Sequence, residues 1–135
     1  MKWKTLFLFF LGIAWSTKAS VQNDTEIEKE LSTVKFFSIG LNGFVAKKMP
    51  QQIIYEKVLE NTNSVSIFKN VMESHESTPE GKAYSACGLW ENKEPEKIKL
   101  KDEYGDLNVT ILSGDILRQE SLGKFIGNIK KHGCK

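Results

Sequence analysis

Apolar and polar positions change rhythm several times along this chain. A basic start, Met1-Lys2-Trp3-Lys4, leads into the apolar run TLFLFFLGIA at 5–14. Past residue 24 the spacing turns helical. Thr25-Glu26-Ile27-Glu28 has the capping-box pattern, and Ile27, Leu31 and Val34 follow on one face, so a short helix is expected over about 26–34. The rhythm then shortens. Phe36, Phe37, Ile39 and Leu41 alternate up to Asn42-Gly43, a strong hairpin-turn signal, and Phe44, Val45 and Ala46 resume after it. TVKFFSIGLNG at 33–43 therefore reads as helix running into strand.

The middle of the chain is less decided. QQIIYEKVLE at 51–60 fits a strand, or equally a helix with Ile53, Ile54, Val58 and Leu59 on one side. Asn61-Thr62-Asn63 reads as a turn before SVSIFKNVM, a β-branched run. HESTPEGK is polar and reads as a loop, AYSACGLW as another strand, and NKEPE as a charged break. KIKLK and LNVTIL alternate on either side of Glu103-Tyr104-Gly105-Asp106, which predicts a hairpin over 96–112. Leu122, Phe125, Ile126 and Ile129 then fall at i, i+3, i+4 and i+7, a C-terminal helix stopped by Gly133. The order expected is a short helix, about six strands and a closing helix.

Composition changes this picture at the ends. The basic start, the apolar run and the small residues Thr17 and Ala19 have the order of a secretory signal peptide, with 1–19 removed and 20–135 left as one domain. The run is too short to span a bilayer, and no second long apolar run follows, so no membrane span is expected. Without Lys2, Lys4 and Lys18, 16 of the 19 basic residues remain against 17 acidic ones. The remaining chain is near neutral, with no basic stripe for a nucleic acid. Cys87 and Cys134 form an even pair in a chain addressed to an oxidising compartment, so one disulfide between them is expected. Asn23-Asp24-Thr25 and Asn108-Val109-Thr110 are sequons, which makes Asn23 and Asn108 candidate glycosylation sites.

Three segments resemble the lipocalin family. Val34-Lys35-Phe36-Phe37-Ser38-Ile39-Gly40-Leu41 has the cadence of its first strand, with Val34 in place of Gly and Phe36 in place of Trp. HESTPEGKAYSACGLWENKEPEKIKLK is similar to the mid-barrel strands that carry a disulfide cysteine. Leu117-Arg118 followed by ESLGKFIGNIKKHGC is similar to the closing strand end, helix and late cysteine. The mid-chain motif is reduced to Gly114-Asp115-Ile116, and the chain is short by about two strands of a usual eight-stranded cup. The resemblance implies a mainly β fold with a C-terminal α-helix, a small and incomplete antiparallel barrel.

Chemistry follows from what is present. His75 lies in a polar loop and His132 near the end, at no spacing that binds a metal or activates a nucleophile. No phosphate loop or serine elbow is found, and the carboxylates sit in solvated runs such as ENKEPEK. Neither an enzyme, a cofactor nor a metal is expected. The resemblance implies a secreted carrier of a small hydrophobic ligand, a lipid, odorant or pheromone, lined by Phe37, Ile39, Tyr55, Ile67, Tyr84, Ile98, Leu100 and Val109, with Phe36 closing the base. The alternative is a secreted signalling or interaction protein of short-chain helical type, with 26–46, 51–60, 64–74 and 115–131 as helices and a cell-surface receptor as partner.

Overall fold

The computed structural model describes residues 18–42 and 46–134. The signal-peptide reading falls on 1–17, outside the described residues except for its last two positions, and so does most of the turn after Asn42. Among these residues five α-helices run α1 Lys18–Ser32, α2 Pro50–Glu60, α3 Ser64–Glu73, α4 Pro79–Glu91 and α5 Leu122–His132. Strands β1 Leu41–Asn42 and β2 Lys47–Lys48 form one small antiparallel pair. Strands β3 Asn108–Ser113 and β4 Ile116–Ser121 form another.

Helix α4 is the centre of the molecule. Every residue from Glu80 to Leu89 is buried. Its start is written in the sequence: Thr78 is the N-cap, its hydroxyl accepting from Gly81 N at 3.0 Å, and Pro79 occupies the first turn. The same hydroxyl donates to Val34 O at 2.6 Å, and Thr78 N donates to Ser32 O at 2.9 Å, so the cap also fastens the end of α1. Two glycines allow close approach. A Cβ on Gly81 would stand 2.7 Å from Leu31 O, and one on Gly88 would overlap the Phe68 ring. Phe68, Val71 and Met72 of α3, Tyr55 and Val58 of α2, and Leu31 of α1 close the core around this helix.

Lys82, in the middle of α4, is fully buried. Its ammonium donates to Met72 O at 2.9 Å and Ser74 O at 2.5 Å, and lies 4.3 Å from the centre of the Tyr104 ring. Those carbonyls belong to the last turn of α3 and its cap, which have no acceptor role left within the helix. Burial pushes the Lys82 pKa down to about 8, so the amine stays charged at neutral pH.

The strands are organised by one turn and one bridge. Gly114, with φ +61°, leads a two-residue connection that folds β4 back on β3 in register, from Asn108 with Ser121 to Ser113 with Ile116. On the other side of β3, Phe37 N donates to Thr110 O at 2.8 Å and Leu112 N to Phe37 O at 2.9 Å, a parallel bridge between Phe37 and Ile111. The opening of α5 is satisfied by the preceding loop, Leu122 N donating to Leu107 O and Gly123 N to Gly105 O.

The mainly β, lipocalin-like reading is overturned. The described residues are mostly helical, with two two-stranded pairs and no barrel. SVSIFKNVM and AYSACGLW are helices, and 51–60 takes its helical alternative. Local β preference at Val65, Ile67 and Val71 yields to burial against α4, because β propensity reflects surroundings more than backbone. The predicted 96–112 hairpin is also corrected. Pro95–Lys97 and Asp102–Tyr104 are single 3-10 turns, and β3 pairs forward with β4 rather than backward with KIKLK. Phe36 is only half-buried, and Phe37 is the ring that enters the core. TVKFFSIGLNG does leave a helix, but α1 spans Lys18–Ser32 rather than 26–34, and in place of a first barrel strand Phe37 makes one isolated bridge and Leu41–Asn42 a two-residue strand. The C-terminal helix agrees with the structure, and Cys87 is joined to Cys134.

Candidate functional site

The residues that follow α1 leave the helix at Thr33 and cross the molecule in extended form. Tyr84 fixes their path. Its hydroxyl accepts from Ser38 N at 2.9 Å and donates to Ser38 O at 2.8 Å. The ring of Phe37 lies 4.6 Å from that of Tyr84 and 4.9 Å, edge-on, from that of Phe125. These contacts tie α4, the extended segment and α5 together at one place. Burial raises the Tyr84 pKa to about 12, and Tyr55, 5.3 Å away in the same cluster, is raised further, chiefly by burial.

Beside this junction lies an open groove of about 570 Å³. Phe37, Ser38 and Ile39 form one wall, Ile111 to Ser113 of β3 another, and α5 the third with Phe125 and Ile129. The far end is closed by Gly133 and Cys134. Gly133 takes φ +78° and its N–H donates to Ile129 O, which turns the chain off α5 toward α4, where Cys134 bonds to Cys87 with 5.5 Å between Cα atoms. The polar rim is uneven. It carries Arg118, Lys124 and His132 and one carboxylate, Glu120, which Arg118 holds at 3.2 Å. Asn128 stands between Lys124 and His132 on the helix.

Of the eight lining residues expected from the sequence, Phe37 and Ile39 reach this groove. Ile39 is exposed there. Tyr55, Ile67, Tyr84 and Val109 are closed core, and a barrel interior for them to line does not exist. Ile98, also buried, and Leu100 border a separate cleft of about 440 Å³ with Lys99, Lys101 and Lys130. Sequence reasoning missed Arg118, Lys124, Asn128 and His132. A signal was present: Lys124, Asn128 and His132 recur every four residues beside the Phe125–Ile129 stripe, so one strip of α5 is polar next to an apolar strip. Of the sequon asparagines, Asn23 is exposed on α1 and Asn108 is exposed at the first position of β3.

The titratable groups outside the groove have structural partners or none. His75 Nδ1 lies 3.2 Å from the Tyr104 hydroxyl. Asp24 accepts from Asn61 and Asn63, which holds its carboxyl below the usual range. Glu80, in the first turn of α4, is buried with Oε2 unbonded, and desolvation raises its pKa to about 7. Among the described residues no cluster of three His, Cys, Asp or Glu side chains is placed to hold a metal ion, and no helix is long and apolar enough to cross a membrane. Comparison of the chain with family models, with curated proteins and with solved structures gives no match.

Proposed function

We propose that this is a secreted binding protein that takes an amphipathic small molecule, with an apolar body and an anionic end, in the groove between the β3–β4 hairpin and α5. The observation that carries the reading is the groove's asymmetry: an apolar floor of Phe37, Ile111, Phe125 and Ile129 beneath a rim with Arg118, Lys124 and His132 against the single carboxylate of Glu120. A volume of about 570 Å³ suits a small ligand. Binding without catalysis fits a rim whose basic side chains, Arg118, Lys124 and His132, are all exposed. Export accounts for the N-terminal sequence pattern and is compatible with the disulfide.

Titration of the mature protein with a fluorescent fatty-acid analogue tests this. Saturable binding, displaced by an unlabelled long-chain carboxylate more strongly than by the matching alcohol, is the expected result. Lys124→Gln should weaken it by roughly tenfold, the loss of one charge-assisted contact. Absence of saturable binding by charged and neutral probes alike would remove the proposal. A second reading, a secreted signalling or interaction protein, is supported by the mainly helical fold and by Ile116 and Leu117, 70 % and 57 % exposed at the hairpin end.

A further inference from the structure

Among the described residues the hairpin has one edge in use and one with no strand beside it. The bonds between Phe37 and both Thr110 and Leu112 show which way β3 faces. Thr110 and Leu112 present their main-chain groups to the Phe37 segment. Val109, Ile111 and Ser113 therefore present theirs to β4, where their register partners are Glu120, Arg118 and Ile116. Alternation along β4 then leaves the N–H and C=O groups of Leu117, Gln119 and Ser121 pointing away from the sheet. No described strand lies beyond them.

From this edge we infer that the protein forms a two-fold symmetric dimer in which β4 of one copy pairs antiparallel with β4 of a second copy, centred on Gln119. A two-fold axis at Gln119 sets Gln119 against Gln119 of the second copy and Leu117 against Ser121 of the second copy. All of these are outward-facing residues, so they exchange main-chain hydrogen bonds as an antiparallel ladder requires. Between them, Arg118 falls opposite Glu120 of the second copy, and Glu120 opposite Arg118 of the second copy. These are the close, non-hydrogen-bonded positions, where facing side chains interact most strongly.

Other registers fail on the same residues. An axis at Arg118 sets guanidinium against guanidinium, and one at Glu120 sets carboxylate against carboxylate. An axis at Leu117 pairs Arg118 with Ile116 and engages less of the strand, and one at Ser121 runs into α5. Within each copy Arg118 and Glu120 already lie 3.2 Å apart on one face of β4, so the dimer would carry four alternating charges across its junction. Edge strands commonly carry charges that discourage pairing. Here the order Arg-Gln-Glu makes the edge complementary to itself in one register. The two copies of α5 would lie on the same face of the joined sheet, and the two grooves, which share Arg118 and Glu120 with the edge, would adjoin. The inference is independent of what the groove binds.

The test uses the mature, disulfide-intact chain. Sedimentation velocity over a range of concentrations should show a monomer–dimer equilibrium that Arg118→Glu and Glu120→Arg each weaken by about tenfold or more, because each sets like charges face to face. The double exchange R118E/E120R should restore it. Hydrogen exchange of the unaltered protein should show the amides of β4 slowing as concentration rises, with no change in α2 or α3. A monomer at every concentration would overturn the inference. So would a dimer indifferent to the single exchanges, or one whose concentration-dependent protection lies away from β4.

Discussion

Replacing Gly88 with alanine should destabilise the protein, although alanine is the better helix former. In an exposed helix the exchange gains about 1 kcal/mol. Gly88 is not exposed. It faces Phe68 of α3, and an added Cβ would stand inside the van der Waals envelope of three ring carbons, Cε2, Cζ and Cδ2. The ring cannot swing away. Phe68 is fully buried, and Tyr55 packs 5.8 Å from it. The two helices must part instead, and overpacking of this kind costs up to about 3 kcal/mol. The net loss is then about 2 kcal/mol, or roughly 8 °C in melting temperature for a domain of this size. Urea unfolding followed by tryptophan fluorescence measures it. A double-mutant cycle isolates the cause. Phe68→Leu alone should cost stability by opening a space, yet with Gly88→Ala the sum should fall short of additive by about 1 kcal/mol or more, since the new methyl enters that space. Gly88→Ala at or above the parent's stability, or strict additivity, would refute the close packing of α3 on α4.

Two further outcomes follow from buried polar groups. Tyr84→Phe removes the paired hydrogen bonds to Ser38 and should cost about 2 kcal/mol in the same urea assay, with a several-fold loss of probe affinity because Ser38 and Phe37 wall the groove. Glu80, raised from 4.5 to about 7, favours its protonated form in the folded state, so its contribution to stability is complete below about pH 4.5 and is lost as pH rises through 7. Glu80→Gln should therefore gain stability relative to the parent progressively across that window, and a difference that stays flat from pH 4 to 8 in denaturant titrations would show that the carboxyl is solvated.

The parts of the fold legible in the sequence are those whose two faces differ. Helix α5 buries Leu122, Ile126 and Ile129 and exposes its lysines, so the 3.6-residue period survives in the text. Helix α4 is enclosed on all sides, and enclosure erases the period: AYSACGLW carries no polar face to betray a helix. Its surviving signal was the Thr78-Pro79-Glu80 start, which is easily taken for a loop because its residues are polar. Lys82 misleads for the same reason, being charged in sequence and buried in fact. The hairpin is misread from sequence because KIKLK alternates as LNVTIL does, while the true partner, ILRQES, carries no alternation. Ser113-Gly114-Asp115 supplies the tighter turn, and Gly114 takes the positive φ that the turn requires. The groove was half legible. Phe37 and Ile39 were in view, but the partners that make it a groove come from β4 and α5, more than 70 residues further along the chain.

The bond between Cys87 and Cys134 has a mechanical consequence. It joins the middle of the central helix to the residue just past α5, across 47 positions of sequence. A pull applied at Lys18 and Cys134 would run along α1, α2, α3 and the first two turns of α4, then step directly across the sulfur bridge. Residues 88–133 would carry no load. The β3–β4 hairpin and α5 lie inside that unloaded loop, whereas Phe37, Ser38 and Ile39 lie on the loaded path, so tension that strips the first three helices would pull one wall off the groove and leave its other two off the line of force for as long as the bridge holds.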